Sequence, residues 1–190
     1  SFLGWSVATN TGATAFVMKC NANVTSYSWV NNYTSNNGIN GVSQGLEPQI
    51  LFNNNTNEVL FAGSIRGQMF WSAQTNAGPG PNNGMDPLLA TFDPTTGTCT
   101  SLNRLVGNNG FDDGFTKMTL DSNGDLLLGG YMGYQLTDSN NVNYYSNGGN
   151  SDFFITKFAT QACTPLANET FESQNIILYP NPVNNVVELQ

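Results

Sequence analysis

The stretch that decides the fold reads Phe115-Thr-Lys-Met-Thr-Leu120, then Asp121-Ser-Asn-Gly124, then Asp125-Leu-Leu-Leu-Gly-Gly-Tyr131. Apolar and β-branched residues flank a short polar segment that contains Gly, which is typical of two strands joined by a tight turn. After a polar loop, Ser151-Asp-Phe-Phe-Ile-Thr-Lys-Phe158 predicts a third strand. The stretch therefore predicts a β-hairpin followed, after a longer loop, by a further strand.

The same pattern occurs earlier in the chain, in a less regular form. A strand at Gln49–Phe52, an Asn-rich turn and a strand at Glu58–Ser64 precede a further strand at Asp86–Phe92. An N-terminal remnant contains Phe2–Trp5 and Ala15–Cys20. Self-similarity at a fixed period indicates a repeat architecture.

Two independent anchors give similar periods for this repeat. Matching Gly4, Gly63 and Gly130 gives spacings of 59 and 67 residues. Matching Lys19, Thr91 and Lys157, which lie on the further strand of each unit, gives spacings of 72 and 66 residues. The body of the chain therefore contains about three units.

Strands such as Leu126–Leu128 are apolar without alternation, so we expect both of their faces to be covered. Sheets stacked face to face around an axis, as in a β-propeller, satisfy that requirement. The glycines that end these strands suit a close approach of the backbone. The predicted fold class is all-β, with propeller-like blades over residues 1–163.

The repeat resembles bacterial propeller repeats that have an Asp-Ser-x-Gly-Asp turn, a Gly-Gly pair and an Asp-x-Phe-x-x-Lys-Phe strand. Residues 121–130 and 152–158 carry that pattern best, and the resemblance covers roughly residues 1 to 160. Because a propeller usually needs at least about four blades, either earlier blades lie before Ser1 or the units stack openly, and we favour the first, in which the units belong to a larger propeller. The chain begins at Ser1 in the middle of a unit, which is also typical of a fragment of a longer protein.

Composition excludes several functions. The chain has 190 residues, five Lys and Arg, no His and a net charge of −8, so it cannot build the basic face of a nucleic-acid binder. No apolar run approaches the length of a membrane span. The 29 Asn residues often occur in runs, which are typical of turns. The three Cys residues are too few for a disulfide framework, and we expect free, partly buried thiols.

The C-terminal stretch reads Ile176-Ile-Leu-Tyr179, Pro180-Asn-Pro182 and Val183-Asn-Asn-Val-Val-Glu-Leu189. Each Pro fixes its own φ and moves the preceding residue out of the helical region. The segment therefore predicts a stiff, extended corner between two short strands. An ordinary strand, turn and strand at a sheet edge has the same pattern.

This stretch resembles the opening of a type A sorting domain, the C-terminal signal of cargo for the type IX secretion system of Bacteroidetes. The matching residues are Tyr179, Pro180, Asn181, Pro182, Val186, Val187 and Leu189. The resemblance implies an exported protein whose partners are the outer-membrane translocon and its shuttle protein. It also implies that residues 175–190 open an immunoglobulin-like domain. Residues 164–174 are polar and lack the repeat pattern, which predicts a linker before it.

Catalysis within this chain is not predicted. Without His, a Ser-His-Asp or Cys-His site is excluded. Asp112 and Asp113 are neighbours and should point apart, so solvation in a loop explains them better than paired catalysis. Asp121, Asn123 and Asp125 have the spacing that begins a calcium loop, but a β-turn accounts for them fully. No catalytic, metal or cofactor residues are therefore assigned.

Aromatic pairs in the long loops are the remaining candidates for binding. Phe70-Trp71 and Tyr144-Tyr145 could stack on a sugar, although we expect burial within their own loops. The sequence predicts a secreted, non-enzymatic cell-surface protein for binding or adhesion. Its ligand would be a surface glycan or a protein, and export would pass through the periplasm and outer membrane. The alternative is an accessory propeller of a secreted hydrolase or lyase whose catalytic domain lies elsewhere.

Overall fold

The computed structural model describes residues 3–6, 15–35, 48–66, 68–72, 74–77, 84–108, 110–148, 151–159, 178–179 and 188–189. Within these ranges the regular secondary structure consists of β-strands alone, which confirms the predicted all-β fold class. The chain divides into two compact units, Ser1–Phe158 and Ala159–Gln190.

The central sheet of the first unit has four antiparallel strands, and it contains the second predicted repeat. Its strands, in spatial order, are β4 (Gln49–Asn53), β5 (Glu58–Ile65), β8 (Asp86–Phe92) and β9 (Cys99–Arg104). The β4–β5 turn is polar, and the Asn55 backbone N–H donates to the Asn53 side chain at 2.9 Å. The predicted hairpin and further strand are confirmed, and β9 is an additional strand.

A three-stranded antiparallel sheet contains the third repeat. Its strands, in spatial order, are β11 (Gly114–Leu120), β12 (Leu126–Met132) and β15 (Asp152–Phe158). A bulge between Phe115 and Lys117 interrupts the β11–β12 register. Gly130 pairs with Phe115 there, and a Cβ on Gly130 would lie 2.1 Å from the carbonyl oxygen of Gly114. The predicted close approach of two backbone segments therefore occurs at Gly130, next to Gly114.

The N-terminal repeat contributes a two-stranded sheet, β1 (Phe16–Cys20) and β2 (Tyr27–Asn32). It docks on the turn between β8 and β9. The Trp29 indole N–H donates to the Pro94 carbonyl at 3.0 Å, and Lys19 Nζ donates to the same oxygen at 2.9 Å. Asn31 Nδ2 donates to the Gly97 carbonyl at 2.7 Å.

These three sheets stack face to face, with the four-stranded sheet in the middle. Phe61 and Leu88 pack in one core with Val17 and Trp29 of the first sheet. Leu60 and Leu89 are adjacent to Phe61 and Leu88 on the same strands, and they pack in a second core with β11 and β12. Because adjacent residues of a strand face opposite ways, β5 and β8 are apolar at nearly every position.

The prediction that both faces are covered holds for β8, which is buried throughout, and is wrong for β12. In β12, Leu126 and Leu128 are buried whereas Leu127 is half-buried. The reason is that β12 belongs to the last sheet of the stack, whose outer face is partly exposed. Its neighbour β15 alternates in the same way, with Phe153 and Ile155 exposed.

Two hairpins inside the long loops tie successive repeats together, and the sequence patterns did not predict them. The first hairpin pairs β6 (Gln68–Trp71) with β7 (Gln74–Ala77), and β6 also pairs with β3 (Thr34–Ser35). The second pairs β13 (Gln135–Thr137) with β14 (Asn143–Tyr145), and β13 also pairs with β10 (Val106–Gly107). Since β3 and β10 follow the last strand of the preceding repeat, each hairpin bridges two repeats.

Candidate functional site

The predicted sorting residues lie in the second compact unit, where the structure describes two short strands. β16 (Leu178–Tyr179) pairs antiparallel with β17 (Glu188–Leu189), with Tyr179 opposite Glu188. Two short strands thus flank the Pro-Asn-Pro segment, as predicted. The other residues of the motif lie outside the described residues: Pro180, Asn181, Pro182, Val186 and Val187. The predicted linker at residues 164–174 lies outside them as well.

Four exposed aromatic residues lie on the loops and the β13–β14 hairpin of the third repeat, and the rings of three of them are in contact. Phe111 and Tyr134 stack with ring centroids 5.8 Å apart, and Tyr134 meets Tyr145 edge to face at 6.1 Å. Tyr144 follows on β14 and is 52% exposed, while Tyr145 is 58% exposed. We call Phe111, Tyr134, Tyr144 and Tyr145 the aromatic surface.

The two tyrosines of β14 also line a groove of about 730 Å³ between β15 and the β13–β14 hairpin. The apolar residues at the groove are Leu105, Met132 and Leu136, which are buried, Phe154, which is half-buried, and Ile155, which is exposed. Polar side chains lie at its border, among them Asp138, Asn143 and Lys157. Aromatic and apolar walls with a few polar groups are the usual lining of a ligand site.

The hairpin itself orders these rings. Asp138 Oδ1 accepts hydrogen bonds from the backbone N–H groups of Asn140 and Val142, at 2.8 and 2.9 Å, which closes the β13–β14 turn. Those N–H groups hold the pKa of Asp138 below its usual value. The Tyr144 hydroxyl donates to Asp138 Oδ2 at 3.3 Å, and the negative charge of Asp138 raises the pKa of Tyr144. Asp138 therefore both closes the turn and holds the Tyr144 side chain in position.

The expectation that the loop aromatics are buried is correct for one pair and wrong for the other. Trp71 is fully buried, with its ring edge to face against Phe61 and Phe92, and Phe70 is half-buried. Tyr144 and Tyr145 are exposed at adjacent positions of β14, so both faces of that strand are open to solvent there. The matching of repeats did not reveal this difference, since the two loops have unrelated sequences.

A second cluster of side chains lies where the central sheet meets the loop before β11. Asp113 is fully buried, and its Oδ1 accepts a hydrogen bond from the Gly133 N–H at 2.6 Å. Its Oδ2 has no hydrogen-bond partner among the described residues. Asp86 is 2% exposed and forms a salt bridge with Arg104 at 2.8 Å. The predicted solvation of Asp113 in a loop is therefore wrong.

Its neighbour Asp112 behaves as predicted and is exposed, with Oδ1 at 2.9 Å from Arg66. The same oxygen accepts a hydrogen bond from the Met85 backbone N–H at 3.0 Å, while the Asp113 N–H donates to the Met85 carbonyl. These bonds fix the loop before β11 against the start of β8, and they turn the Asp113 side chain inward.

Gly107 allows the two buried carboxylates to share one space. A Cβ on Gly107 would lie 2.1 Å from Asp113 Oδ2 and 2.7 Å from Asp86 Oδ1. Burial, together with the charges of Asp86 and Asp112, raises the pKa of Asp113 to about 7. Burial also raises the pKa of Asp86, against the opposing effect of Arg104. The cluster is a buried link between two repeats whose stabilising effect should be lost as the pH rises, and neither aspartate lines the groove.

The predicted turn at Asp121–Gly124 is confirmed. Asp121 Oδ1 accepts from the backbone N–H groups of Asn123 and Asp125, at 2.8 and 3.0 Å. Lys157 Nζ lies 2.8 Å from Asp121 Oδ2 and 2.8 Å from Asp125 Oδ2. The hydrogen bond from Lys157 holds the pKa of Asp121 below its usual value. Lys157 therefore takes the position that a cation would need in the calcium interpretation.

The remaining observations on sites concern thiols, metals and membranes. Cys20 is half-buried and Cys99 buried, and both are free, as predicted; Cys163 lies outside the described residues. Within the described ranges, no three His, Cys, Asp or Glu residues are grouped so that they could hold a metal ion. The same part of the chain contains no helix that is long and apolar enough to span a membrane.

Comparisons with protein-family models, with curated proteins and with solved structures found no match to this chain.

Proposed function

We propose that this chain is a cell-surface binding protein, in which stacked β-repeats present the aromatic surface to a glycan. The observation that carries the proposal is a group of four exposed aromatic residues, of which three have rings in contact and two, Tyr144 and Tyr145, line a groove. Large aromatic side chains are normally buried or paired, so exposed rings in one group indicate a binding surface.

A glycan fits this surface by its chemistry. The flat, apolar face of a sugar ring packs against an aromatic ring, while its hydroxyl groups need hydrogen-bond donors and acceptors. The groove offers both kinds of contact, since Tyr144 and Tyr145 lie beside Asp138, Asn143 and Lys157. The net charge of −8 favours a neutral or cationic ligand over an acidic one.

The proposal assigns recognition to the chain and no catalysis. Among the described residues, the buried pair of carboxylates is Asp86 and Asp113, which are 2% and 0% exposed. Substrate would therefore not reach them without unfolding the loop before β11. The stacked sheets are proposed to be blades of a β-propeller, because each buries one face against the next.

The proposed route to the surface is type IX secretion, with residues 175–190 as the start of the sorting signal. The Tyr-Pro-Asn-Pro motif at residues 179–182 and the paired strands on either side of it support this assignment. The proposed partners of the segment are the translocon and its shuttle protein. Exposed edges of short strands suit recognition by strand addition.

Binding can be tested with the purified chain on an array of neutral and charged bacterial and host glycans, followed by calorimetry with the best oligosaccharide. Tyr144→Ala and Tyr145→Ala should each weaken binding by about tenfold or more, as expected for aromatic residues at the centre of a site. Tyr27→Ala is a matched control, because Tyr27 is 40% exposed on β2. Equal affinity of all four proteins for the glycan would refute the assignment of the aromatic surface.

A further inference from the structure

The charged side chains beside the aromatic surface have an excess of negative charge. Asp138 and Lys157 are the charged residues that line the groove. The ammonium of Lys157 lies 2.8 Å from both Asp121 Oδ2 and Asp125 Oδ2, so two carboxylates already balance its single positive charge. Within the described ranges, Asp138 forms no salt bridge. These three carboxylates and one ammonium have a net charge of −2, and the charge of Asp138 is not balanced by a cation.

Asp138 presents one of its oxygens next to an exposed tyrosine. Oδ1 accepts hydrogen bonds from two backbone N–H groups of the β13–β14 turn, whereas Oδ2 accepts the Tyr144 hydroxyl at 3.3 Å, which is long for a bond between oxygens. A carboxylate oxygen has two lone pairs, so Oδ2 can accept a further hydrogen bond from a ligand. The pKa of Asp138 lies below its usual value because of its hydrogen bonds, so the group is ionised at neutral pH.

The exposed rings favour the same kind of ligand as this carboxylate. The face of an aromatic ring attracts an ammonium group, because the ring carries negative charge density on its face. The Tyr144 hydroxyl lies 3.3 Å from Asp138 Oδ2, so a sugar that stacks on the Tyr144 ring brings its substituents close to that oxygen. An amino group on the sugar can therefore contact a ring face and a carboxylate together.

We propose that the aromatic surface selects an amino sugar, that is, a sugar with a free, protonated amine, and that Asp138 determines this selectivity. The inference rests on the proposed glycan-binding function and specifies its ligand. A charged ammonium donor forms a stronger hydrogen bond to a carboxylate than a hydroxyl or an N-acetyl group does. An acidic sugar is repelled by the same excess of negative charge. A lysine side chain carries the same ammonium but lacks the flat ring that stacks on an exposed tyrosine.

The test uses three β-1,4-linked hexasaccharides, of glucosamine, of N-acetylglucosamine and of glucose, which differ only in the substituent at C2. Calorimetry with the full 190-residue chain measures the affinity for each. The glucosamine oligomer should bind at least about tenfold more tightly than the other two. This advantage should shrink as the salt concentration rises from about 0.05 to 0.5 M, because salt screens exposed charges.

Asp138→Asn removes the charge and keeps an oxygen that can accept from the turn. It should lose most of the preference for the glucosamine oligomer and leave the affinity for the glucose oligomer unchanged. Asp93→Asn is the matched control, because Asp93 Oδ1 closes the β8–β9 turn in the same way, with the N–H groups of Thr95 and Thr96 at 2.7 and 2.8 Å. It changes the net charge equally and should keep the full preference. Thermal unfolding checks that both variants are folded.

The remaining outcomes separate this inference from the function on which it rests. Binding that depends on Tyr144 but shows no preference for the amine would overturn the inference and leave the glycan function standing. The inference also fails if folded Asp138→Asn keeps the full preference, or if a lysine hexapeptide displaces the glucosamine oligomer at equal concentration. Undiminished binding of that oligomer to Tyr144→Ala and Tyr145→Ala would show general attraction to an acidic protein and would overturn it as well. Binding of no glycan on the array would refute the proposed function itself.

Discussion

Leu89 and Ile155 occupy the same position in successive sheets, yet Leu89 is 4% exposed and Ile155 is 72% exposed. The cause is the order of the stack. β11 and β12 cover Leu89, whereas Ile155 lies on the outer side of the last sheet of the stack. Two chemically similar residues at one repeat position should therefore contribute very differently to stability.

Leu89→Ala should lower the free energy of unfolding by about 2–5 kcal/mol, because it leaves a cavity between two sheets. Ile155→Ala should change it by less than about 0.5 kcal/mol, as for other surface substitutions. Chemical denaturation of the monomeric protein at low concentration measures both changes. Equal losses at the two positions would contradict the described order of the sheets.

The buried carboxylate of Asp113 should make stability depend on pH. Its pKa in the folded protein is about 7, above the value of about 3.9 in an unfolded chain, so the folded state binds the proton more tightly. Between about pH 4 and 7 the folded state then holds more protons, and stability falls as the pH rises. The contribution of this group is fully present below pH 4 and is lost by about pH 8.

Asp113→Asn provides the check on that assignment. The amide oxygen can accept the hydrogen bond from the Gly133 N–H, and the neutral amide NH2 takes the place of the O–H of the protonated acid. The variant should match the unaltered protein at pH 5 and exceed its stability at pH 8 by about 2–4 kcal/mol. Denaturation curves between pH 5 and 8 avoid the range in which Asp93, Asp121 and Asp138, whose pKa values are lowered, titrate. An unchanged pH slope in the variant would count against a raised pKa at Asp113.

The turn that carries the β1–β2 sheet should tolerate no side chain at Gly97. This residue has a φ of +73°, and a Cβ there would lie 2.5 Å from the Trp29 ring. Gly148→Ala is a matched control, because Gly148 has a φ of +81° and open space around its Cβ position. Both substitutions should lower the free energy of unfolding by about 1–2 kcal/mol, because Ala is strained in the left-handed backbone conformation. Gly97→Ala should cost at least about 1 kcal/mol more, from the clash with the indole.

Thermal or chemical unfolding compares these two variants directly, and Trp fluorescence reports the environment of the indole. Similar losses for Gly97→Ala and Gly148→Ala, with unchanged fluorescence, would show that Trp29 does not lie over the turn.

The thiols should differ in reactivity. Burial raises the pKa of Cys99 to about 11, and its Sγ donates to the Ser101 carbonyl at 3.3 Å. Since the thiolate is the reactive form, iodoacetamide should modify Cys99 more than about tenfold more slowly than Cys20 in the native protein. Mass spectrometry of peptides after timed labelling follows each cysteine separately, and labelling in denaturant is the control. Equal native rates would mean that Cys99 is accessible.

Much of the fold followed from local patterns in the sequence. The turn at Asp121–Gly124 and the strands on either side of it were predictable, because polar turn residues and apolar runs act over a few positions. The hairpins β6–β7 and β13–β14 were not, since their short strands are stabilised by pairing with the preceding repeat. That pairing joins Thr34 with Phe70, which are distant in sequence.

The candidate site was less predictable than the fold. Tyr144 and Tyr145 were recognised as candidates, but their exposure depends on how the hairpin is oriented against β10. The burial of Asp113 involves Gly107 on β10 and Gly133 in the turn after β12, which are distant from it in sequence. Repeat matching compares equivalent positions, and it gives no information on residues that only one repeat contains.

The most direct test of the proposed function is the cellular location of the full-length protein when it is expressed in a Bacteroidetes strain that has a type IX translocon. Pro180→Ala, Pro182→Ala and Tyr179→Ala should each block export and leave the protein in the periplasm, with the repeats folded. Tyr27→Ala is the control, and a strain that lacks the translocon gives the reference for blocked export. Surface labelling and fractionation of the cells measure the result. Accumulation in the periplasm is the predicted outcome, and normal delivery of all three variants to the surface would contradict the account.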